Sequence, residues 1–349
     1  MRQSLYLGIC GLVGVLLLLE LLFRVLPVST STETGYYTDP LILSYPPQHR
    51  WTASTGWDLR NAQTLVANNW GYASARDFSR NAQAVALVGD SFTEASMLAA
   101  TDRPGTQLER ALGGRPVYAM GMPGTALLDY AERIRFAQTQ FGVRDFVVLM
   151  ERGDVLQSLC GSGNVHGPCL AAQTLAPRTD ALPPASTAKQ VLRHSALAQY
   201  LFSQLKFNPQ RLLPPSLFSR SQPVAVAAPG GGARTPATVD AEATRHKVEV
   251  VTRTFFERVK PHVAGRLVIV LDSDRSALQH GPLKPDLPRA RFIELARAAG
   301  AIVIDTAPLY LAHGAHSALK LDVGPYDGHL NALGVRLTMQ AAASALQQP

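Results

Sequence analysis

The amino-acid sequence predicts an α/β protein in which a doubly wound, five-stranded parallel sheet follows one amino-terminal helix long enough to cross a membrane. Three observations carry that expectation. Short apolar runs alternate with helix-length stretches, the apolar runs read as strands buried on both faces, and one uncharged segment opens the chain. Hydrophobic residues make up 46% of the 349 and charged residues 17%, which can bury a sizeable core and excludes disorder for the chain as a whole. The mean hydropathy of +0.03 is high for a chain with 24 Pro and 27 Gly, so its apolar residues are concentrated locally.

The first concentration is the amino terminus. Gln3 to Leu19 carries no charge, and past Glu20 the apolar run resumes as Leu21, Leu22 and Phe23, close to the roughly 20 residues a hydrocarbon core requires. Glu20 and Arg24 are spaced to pair on a helix at the membrane edge. Arg2 would also suit a cleaved signal peptide, but Leu26-Pro27-Val28-Ser29-Thr30 offers no small-x-small cleavage site. The expectation is an uncleaved anchor over 1–28 that places the chain beyond it in the periplasm or outside the cell, with membrane lipid as a partner.

Residues 29–80 are polar and read as an irregular extension. It holds Tyr36, Tyr37, Tyr45, Tyr72 and all three Trp (Trp51, Trp57, Trp70). Such aromatics pack an extension onto a main domain more often than they stack on sugars. The main domain is expected over 81–349. Its strands are Ala84–Val88, Pro116–Met120, Asp145–Met150, Arg266–Leu271 and Ala301–Ile304. Helices are expected over Thr106–Leu112, Ala126–Gln140, Ala241–His262, Arg289–Ala299 and Ala332–Leu346. An insertion at about 155–240 interrupts this rhythm, with a moderately helical patch over Gln190–Leu205 and a flexible linker over Ser221–Thr238.

Thirty-three basic and 26 acidic residues give a net charge of +7. The basic residues form no run and no nucleic-acid-binding motif, so nucleic acid is not an expected partner, while anionic lipid or an acidic glycan remains compatible. Cys10 lies in the apolar run. Cys160 and Cys169 bracket a Gly/Pro loop and are expected to form a disulfide in an oxidising compartment. His166 is the one further metal ligand near them, and no phosphate loop or nucleotide fingerprint is present, so neither metal nor cofactor is expected.

The chemistry concentrates at two distant places. Val88-Gly89-Asp90-Ser91-Phe92-Thr93-Glu94-Ala95 puts a serine just past the first parallel strand, at the carboxyl edge where open α/β sheets bind ligands. By position alone Ser91 could be a simple helix cap. Near the other end, Gly324-Pro-Tyr-Asp327-Gly328-His329-Leu330-Asn331 sets a histidine two residues after an aspartate, a pair suited to a general base with its orienting carboxylate. In a doubly wound sheet the loops after the first and last strands open on one edge, so Ser91 and His329 are expected to meet. No Gly-x-Ser-x-Gly elbow is present.

These two segments resemble the first and last blocks of the SGNH, or GDSL, hydrolase superfamily. Val117-Tyr-Ala-Met-Gly121-Met-Pro-Gly124 is similar to its second block. The resemblance spans about 84–154 and 241–346. It implies a three-layer flavodoxin-like fold and serine esterase or acyl-transfer chemistry. Ser91 would then be the nucleophile, His329 the base and Asp327 its orienting carboxylate. The N–H groups of Ser91 and Gly124 would form the oxyanion hole, with Gly121 a lesser candidate for the second position.

Two departures from the family pattern matter. Where the third block carries an asparagine that donates to the oxyanion, this chain reads Glu151-Arg152-Gly153-Asp154, leaving Arg152 or Asn164 as substitutes. Asp-x-His replaces the commoner Asp-x-x-His, a spacing also found in membrane-anchored relatives linked to polysaccharide acylation. The implied activity is removal of acetyl groups from a polysaccharide or envelope glycan. A glycan O-acetyltransferase served by a membrane acyl-donor protein, or a non-catalytic polysaccharide-binding domain, are the alternatives. Asn331 is expected to cap the last helix, Glu94 and Asp154 to flank the cleft, and Asp272, Asp274 and Asp305 to shape turns after strands.

Overall fold

In the computed structural model, which describes residues 2–30, 33–163, 167–205, 207, 238–279 and 286–348, the opening apolar run forms one helix, α1 (Arg2–Val25). Four short strands follow. Gly35–Asp39 (β1) pairs antiparallel with Ile42–Ser44 (β2), and Arg50–Thr55 (β3) pairs antiparallel with Arg60–Val66 (β4). The expected irregular extension over 29–80 is therefore largely two hairpins. Their Tyr, Thr, Trp and Ile residues favour extended backbone, and the Asp39 carboxylate accepts the Leu41 N–H at 2.8 Å to close the first turn.

The α/β rhythm begins at Val85–Gly89 (β5) and continues through Ser91–Glu94 (α2), Pro104–Ala111 (α3), Val117–Gly121 (β6), Leu127–Phe141 (α4) and Asp145–Met150 (β7). Asp154–Gln157 (α5) leads to a hairpin of Pro168–Leu170 (β8) with Pro177–Thr179 (β9), then to Thr187–Leu192 (α6) and Ala196–Gln199 (α7). Thr238–Val259 (α8), Leu267–Leu271 (β10), Arg275–Gln279 (α9), Leu287–Ala298 (α10) and Ile302–Asp305 (β11) restore the rhythm. Thr306–His316 (α11) and Ala332–Gln347 (α12) complete the chain. The linker expected over 221–238 lies, up to residue 237, outside the described residues, as do Asn164 and His166.

The chain divides into two units along lines that differ from the expected ones. One comprises Met1–Glu33, Arg50–Val66 and Pro183–Ser221; the other comprises Thr34–His49, Ala67–Leu182 and Gln222–Pro349. Long-range hydrogen bonds tie the first unit together. The Glu20 carboxylate on α1 accepts the Ser195 hydroxyl at 2.8 Å and the N–H groups of Ala196 and Leu197, each at 3.0 Å, so it caps α7. Phe23 stacks on Tyr200, ring centroids 4.1 Å apart.

The second unit holds the five-stranded parallel sheet, ordered β11-β10-β7-β5-β6. Alternate residues of each strand face opposite layers, and both faces are apolar. Ala86, Val88, Phe146, Val148 and Ile269 pack under α4, α8 and α10 through Ile134, Phe255 and Phe292. Val85, Leu87, Val147, Leu149 and Val268 pack under α3 and α12 through Leu108, Val335 and Met339. This is the three-layer, doubly wound arrangement the sequence predicts. Trp70 sits edge-on to Phe136 and Phe141 with centroids 5.4 and 5.3 Å away, so this part of the aromatic extension packs the sheet unit. Because β6 and β7 flank β5 on opposite sides, the strand order reverses at the carboxyl end of β5, which makes that end the crevice of the sheet.

Candidate active site

The Ser91 side is built by strand ends and glycines. β5 stops at Gly89, and the Asp90 carboxylate accepts the Phe92 N–H at 2.8 Å to start α2 with Ser91 as its first residue. A Cβ on Gly89 would lie 2.5 Å from the Leu149 carbonyl, and one on Gly121 would lie 2.3 Å from the Glu94 N, so α2 can pack on these strand ends only over glycine.

His329 reaches Ser91 by a longer route than expected. Helix α11 intervenes after the last strand, and its Ala/His/Gly composition hides it from an amphipathic pattern. His329 then rides on a loop closed by an antiparallel bridge between Asp322 and Leu330, with the Val323 N–H donating to the His329 carbonyl at 2.9 Å. The result nevertheless brings together groups 238 residues apart, with Ser91 Oγ 2.8 Å from His329 Nε2. His329 Nδ1 lies 2.5 Å from Asp327 Oδ1, which also accepts the His329 backbone N–H at 2.9 Å. A carboxylate only accepts, so Nδ1 carries the proton and Nε2 is left to accept from the serine hydroxyl. Burial opposes charging of His329, but the Asp327 hydrogen bond and charge outweigh it and raise its pKa above the ordinary histidine value.

Two arginines that sequence reasoning passed over brace these parts. Arg275, 9% exposed, donates to Asp272, to Asp322 and to the Gly328 carbonyl between Asp327 and His329. Its guanidinium lies 5.8 Å from the centre of the Phe92 ring, whose centre is 4.6 Å from that of the His329 ring. Burial opposes its charge, and the Asp272 and Asp322 carboxylates more than restore it. Arg133, 1% exposed, donates to the Gly89 carbonyl at 2.6 Å, the Met120 carbonyl at 3.2 Å and Thr125 Oγ1 at 2.7 Å. It ties the ends of β5 and β6 to the loop that carries Gly124. Neither residue stands out in the sequence, since Arg275 follows Asp272 and Asp274 and Arg133 lies between Glu132 and Arg135.

Gly124 has φ +75°, a conformation suited to glycine, and space is open where its Cβ would be. Among the described residues its N–H has no hydrogen-bond partner. At Gly153 a Cβ would lie 2.6 Å from Gln157 Nε2, so the Gln157 carboxamide fills the space a side chain at 153 would take. Arg152, by contrast, is drawn to Asp274 and lies 3.4 Å from Glu151. Gln157, one helical turn past Gly153 at the end of α5, is thus an amide near this position that the sequence pattern did not single out.

The remaining carboxylates sort by burial. Asp90 is pushed up to about 6 by burial, against the Phe92 N–H bond and the nearby His329 charge. Asp154 accepts the Tyr130 hydroxyl and the Glu151 N–H, each at 2.9 Å, and burial raises its pKa strongly. Glu94, the last residue of α2, accepts the Tyr45 hydroxyl at 2.7 Å, and is pushed up to about 7 by burial. Asp272 pairs with Arg275, Asp274 with Arg152, and Asp305 caps α11. Asn331 caps α12 through a 3.0 Å bond from the Gly334 N–H, as expected. A disulfide joins Cys160 and Cys169, whose Cα atoms are 5.2 Å apart.

No family model matches the chain, and no curated protein matches it. Among solved structures, it is similar to a member of the lipolytic protein G-D-S-L family from Veillonella parvula at 12% identity and a TM-score of 0.38, over 76% of this chain and 97% of that one. A variant of an acetyl xylan esterase from Geobacillus stearothermophilus aligns at 12% identity and a TM-score of 0.41, over 77% of this chain and 96% of that one. A lipase/acylhydrolase from Enterococcus faecalis aligns at 13% identity and a TM-score of 0.34, over 76% and 98% of the two chains.

Proposed function

We propose that this chain is a membrane-anchored serine esterase of the SGNH type that removes acetyl groups from an extracytoplasmic glycan. The hydrogen-bonded chain Ser91–His329–Asp327 carries this reading. His329 Nε2 takes the serine proton as Oγ attacks the ester carbonyl, and Asp327 stabilises the imidazolium that forms. The developing oxyanion is received by the N–H groups of Ser91 and Gly124 and by the Gln157 carboxamide in place of the family's asparagine. The leaving sugar hydroxyl takes the proton back from His329. Water, activated by the same histidine, then cleaves the acyl-enzyme to release acetate and restore Ser91.

The extracytoplasmic reading is supported by α1, which is long and apolar enough to cross a membrane. Retention of α1 as an anchor over 1–28 is favoured because Glu20 and Phe23 are used by the folded unit; cleavage would strip the cap of α7 and the Tyr200 stack. The glycan substrate rests on the Asp-x-His spacing and on this compartment.

Fluorophosphonate labelling of the full chain in detergent, combined with turnover of a small acetyl ester, tests the reading. Label should reach Ser91, and Ser91→Ala should abolish labelling and lower kcat by at least about 10⁴-fold. A folded chain that never labels at Ser91 sinks the enzymatic reading. Labelling with turnover only when an acceptor glycan is supplied would assign the same residues to an O-acetyltransferase.

A further inference from the structure

The first unit, considered by itself, exposes more large apolar side chains than a water-facing surface usually carries. Outside α1, and among the described residues, these are Leu26, Trp57, Val66, Val191, Leu192, Phe202, Leu205 and Phe207, with Trp57 63% exposed. Most of them fall along one segment. Five of the eight lie within 191–207, Leu26 directly follows α1, Trp57 sits at the tip of the β3–β4 hairpin, and Val66 ends β4 away from that tip. That tip is held against the same segment, since the Tyr200 hydroxyl donates to the Trp57 carbonyl at 3.0 Å and Gln204 Nε2 to the Gly56 carbonyl at 2.7 Å. Exposed apolar side chains concentrated in this way mark an interaction surface.

Its place along α1 identifies the partner. Glu20, which accepts from Ser195, Ala196 and Leu197, stands five residues before the end of α1 at Val25. At about 1.5 Å per residue, segment 195–200 therefore runs beside roughly the last 7 Å of the helix. The uncharged stretch from Gln3 to Leu19 covers about 25 Å of a hydrocarbon core of about 30 Å. With α1 across a bilayer, Glu20 and its three donors lie at the edge of the hydrocarbon, and the apolar side chains beside them lie at the headgroup level. Basic groups share that level. Arg24 pairs with Glu20 at 2.8 Å and donates to the His194 carbonyl at 3.2 Å, and Arg193 lies beside it in sequence. Aromatic and aliphatic side chains rimmed by arginine are the composition that settles at a membrane interface.

We propose that residues 191–205 and 207 and the tip of the β3–β4 hairpin form a collar around the end of α1. The collar inserts Trp57, Phe202 and Leu205 into the headgroup–acyl boundary of the leaflet where α1 ends. The protein is then held by a spanning helix and a monotopic surface together, and the first unit is a membrane-seated base. The collar rests on the anchored reading of α1 given above.

Depth-dependent quenching of the full chain tests it. Cys10→Ser removes the described free thiol, and an environment-sensitive nitrobenzoxadiazole label is attached through Trp57→Cys, Phe202→Cys or, as reference within α1, Tyr6→Cys. These positions are exposed, so the substitutions leave the fold intact. In nanodiscs of phosphatidylethanolamine and phosphatidylglycerol with brominated acyl chains, emission from all three positions should fall by more than half relative to unbrominated discs. Quenching at position 6 with none at 57 and 202 overturns the collar and leaves the anchor standing. Labels at 57 and 202 shielded from both bromine and aqueous iodide would mean that another protein covers the patch, which also overturns it. No quenching at position 6 overturns the anchor, and the collar with it.

Discussion

The two halves of the Ser91–His329 pair are held by different physics. Ser91 stands just past the end of the interior strand β5, with glycine contacts beneath α2 and Arg133 tying the neighbouring strand ends together, so most of what positions it is strand backbone. His329 stands on a loop that follows α11, where one backbone bridge is reinforced by side chains: the Asp327 carboxylate on His329 and the Arg275 guanidinium on the Gly328 carbonyl. A sheet positions a nucleophile through strand register, which many hydrogen bonds share. A loop positions a base through a few charge-assisted bonds, each of which matters separately.

The strongest way to sharpen that contrast is on the nucleophile side, at the group that is not backbone. Gln157→Ala should lower kcat for an acetyl ester by about 10²- to 10³-fold with KM little changed, as expected for a lost oxyanion donor. Steady-state kinetics decide it, and an unchanged kcat would remove Gln157 from the oxyanion hole.

On the base side, Arg275→Met should lower kcat by up to about 10²-fold through misplacement of His329. It should also move the acid limb of the kcat/KM profile to higher pH. The Arg275 charge disfavours the imidazolium, so its removal raises the His329 pKa further and more of the base is protonated at a given pH. Arg275→Lys, which keeps the charge, should hold the limb in place. Equal limbs in all three proteins would break the comparison between a sheet-held and a clamp-held half.

The smallest effect on activity is expected behind the nucleophile. Glu94 has its pKa raised from 4.5 to about 7 by burial, so the folded state keeps a proton that the unfolded chain releases. Stability from this group is full below the unfolded pKa and is lost as pH rises from about 4.5 to about 7. Glu94→Gln should remove that decline, worth on the order of 3 kcal/mol across the window, and leave turnover near its starting value. Denaturant unfolding from pH 4 to 8 measures it, and parallel stability curves for the two proteins would contradict it.

Much of the fold was legible because buried parallel strands announce themselves as unbroken apolar runs; Asp145–Met150 appears in the structure with the boundaries its composition suggests. Ser91, His329 and Asp327 were legible as residue types in meaningful local settings. The hairpins over 35–66, helix α11 and the division into two units were not. Short polar strands and Ala/Gly-rich helices lack strong periodicity, and contacts such as Glu20 with Ala196 join residues 176 apart in sequence.

By itself, the sequence determined the apolar opening helix, the α/β rhythm and the three residues of the hydrogen-bonded chain, because burial on both faces and local motif chemistry are written in nearest neighbours. Only the tertiary structure decided which groups brace them. Arg275 and Arg133 become meaningful through partners 53 and 44 residues away. A side chain's role as clamp or donor depends on what folding brings within hydrogen-bond reach, and that distance is set by the sheet order and loop paths rather than by spacing along the chain.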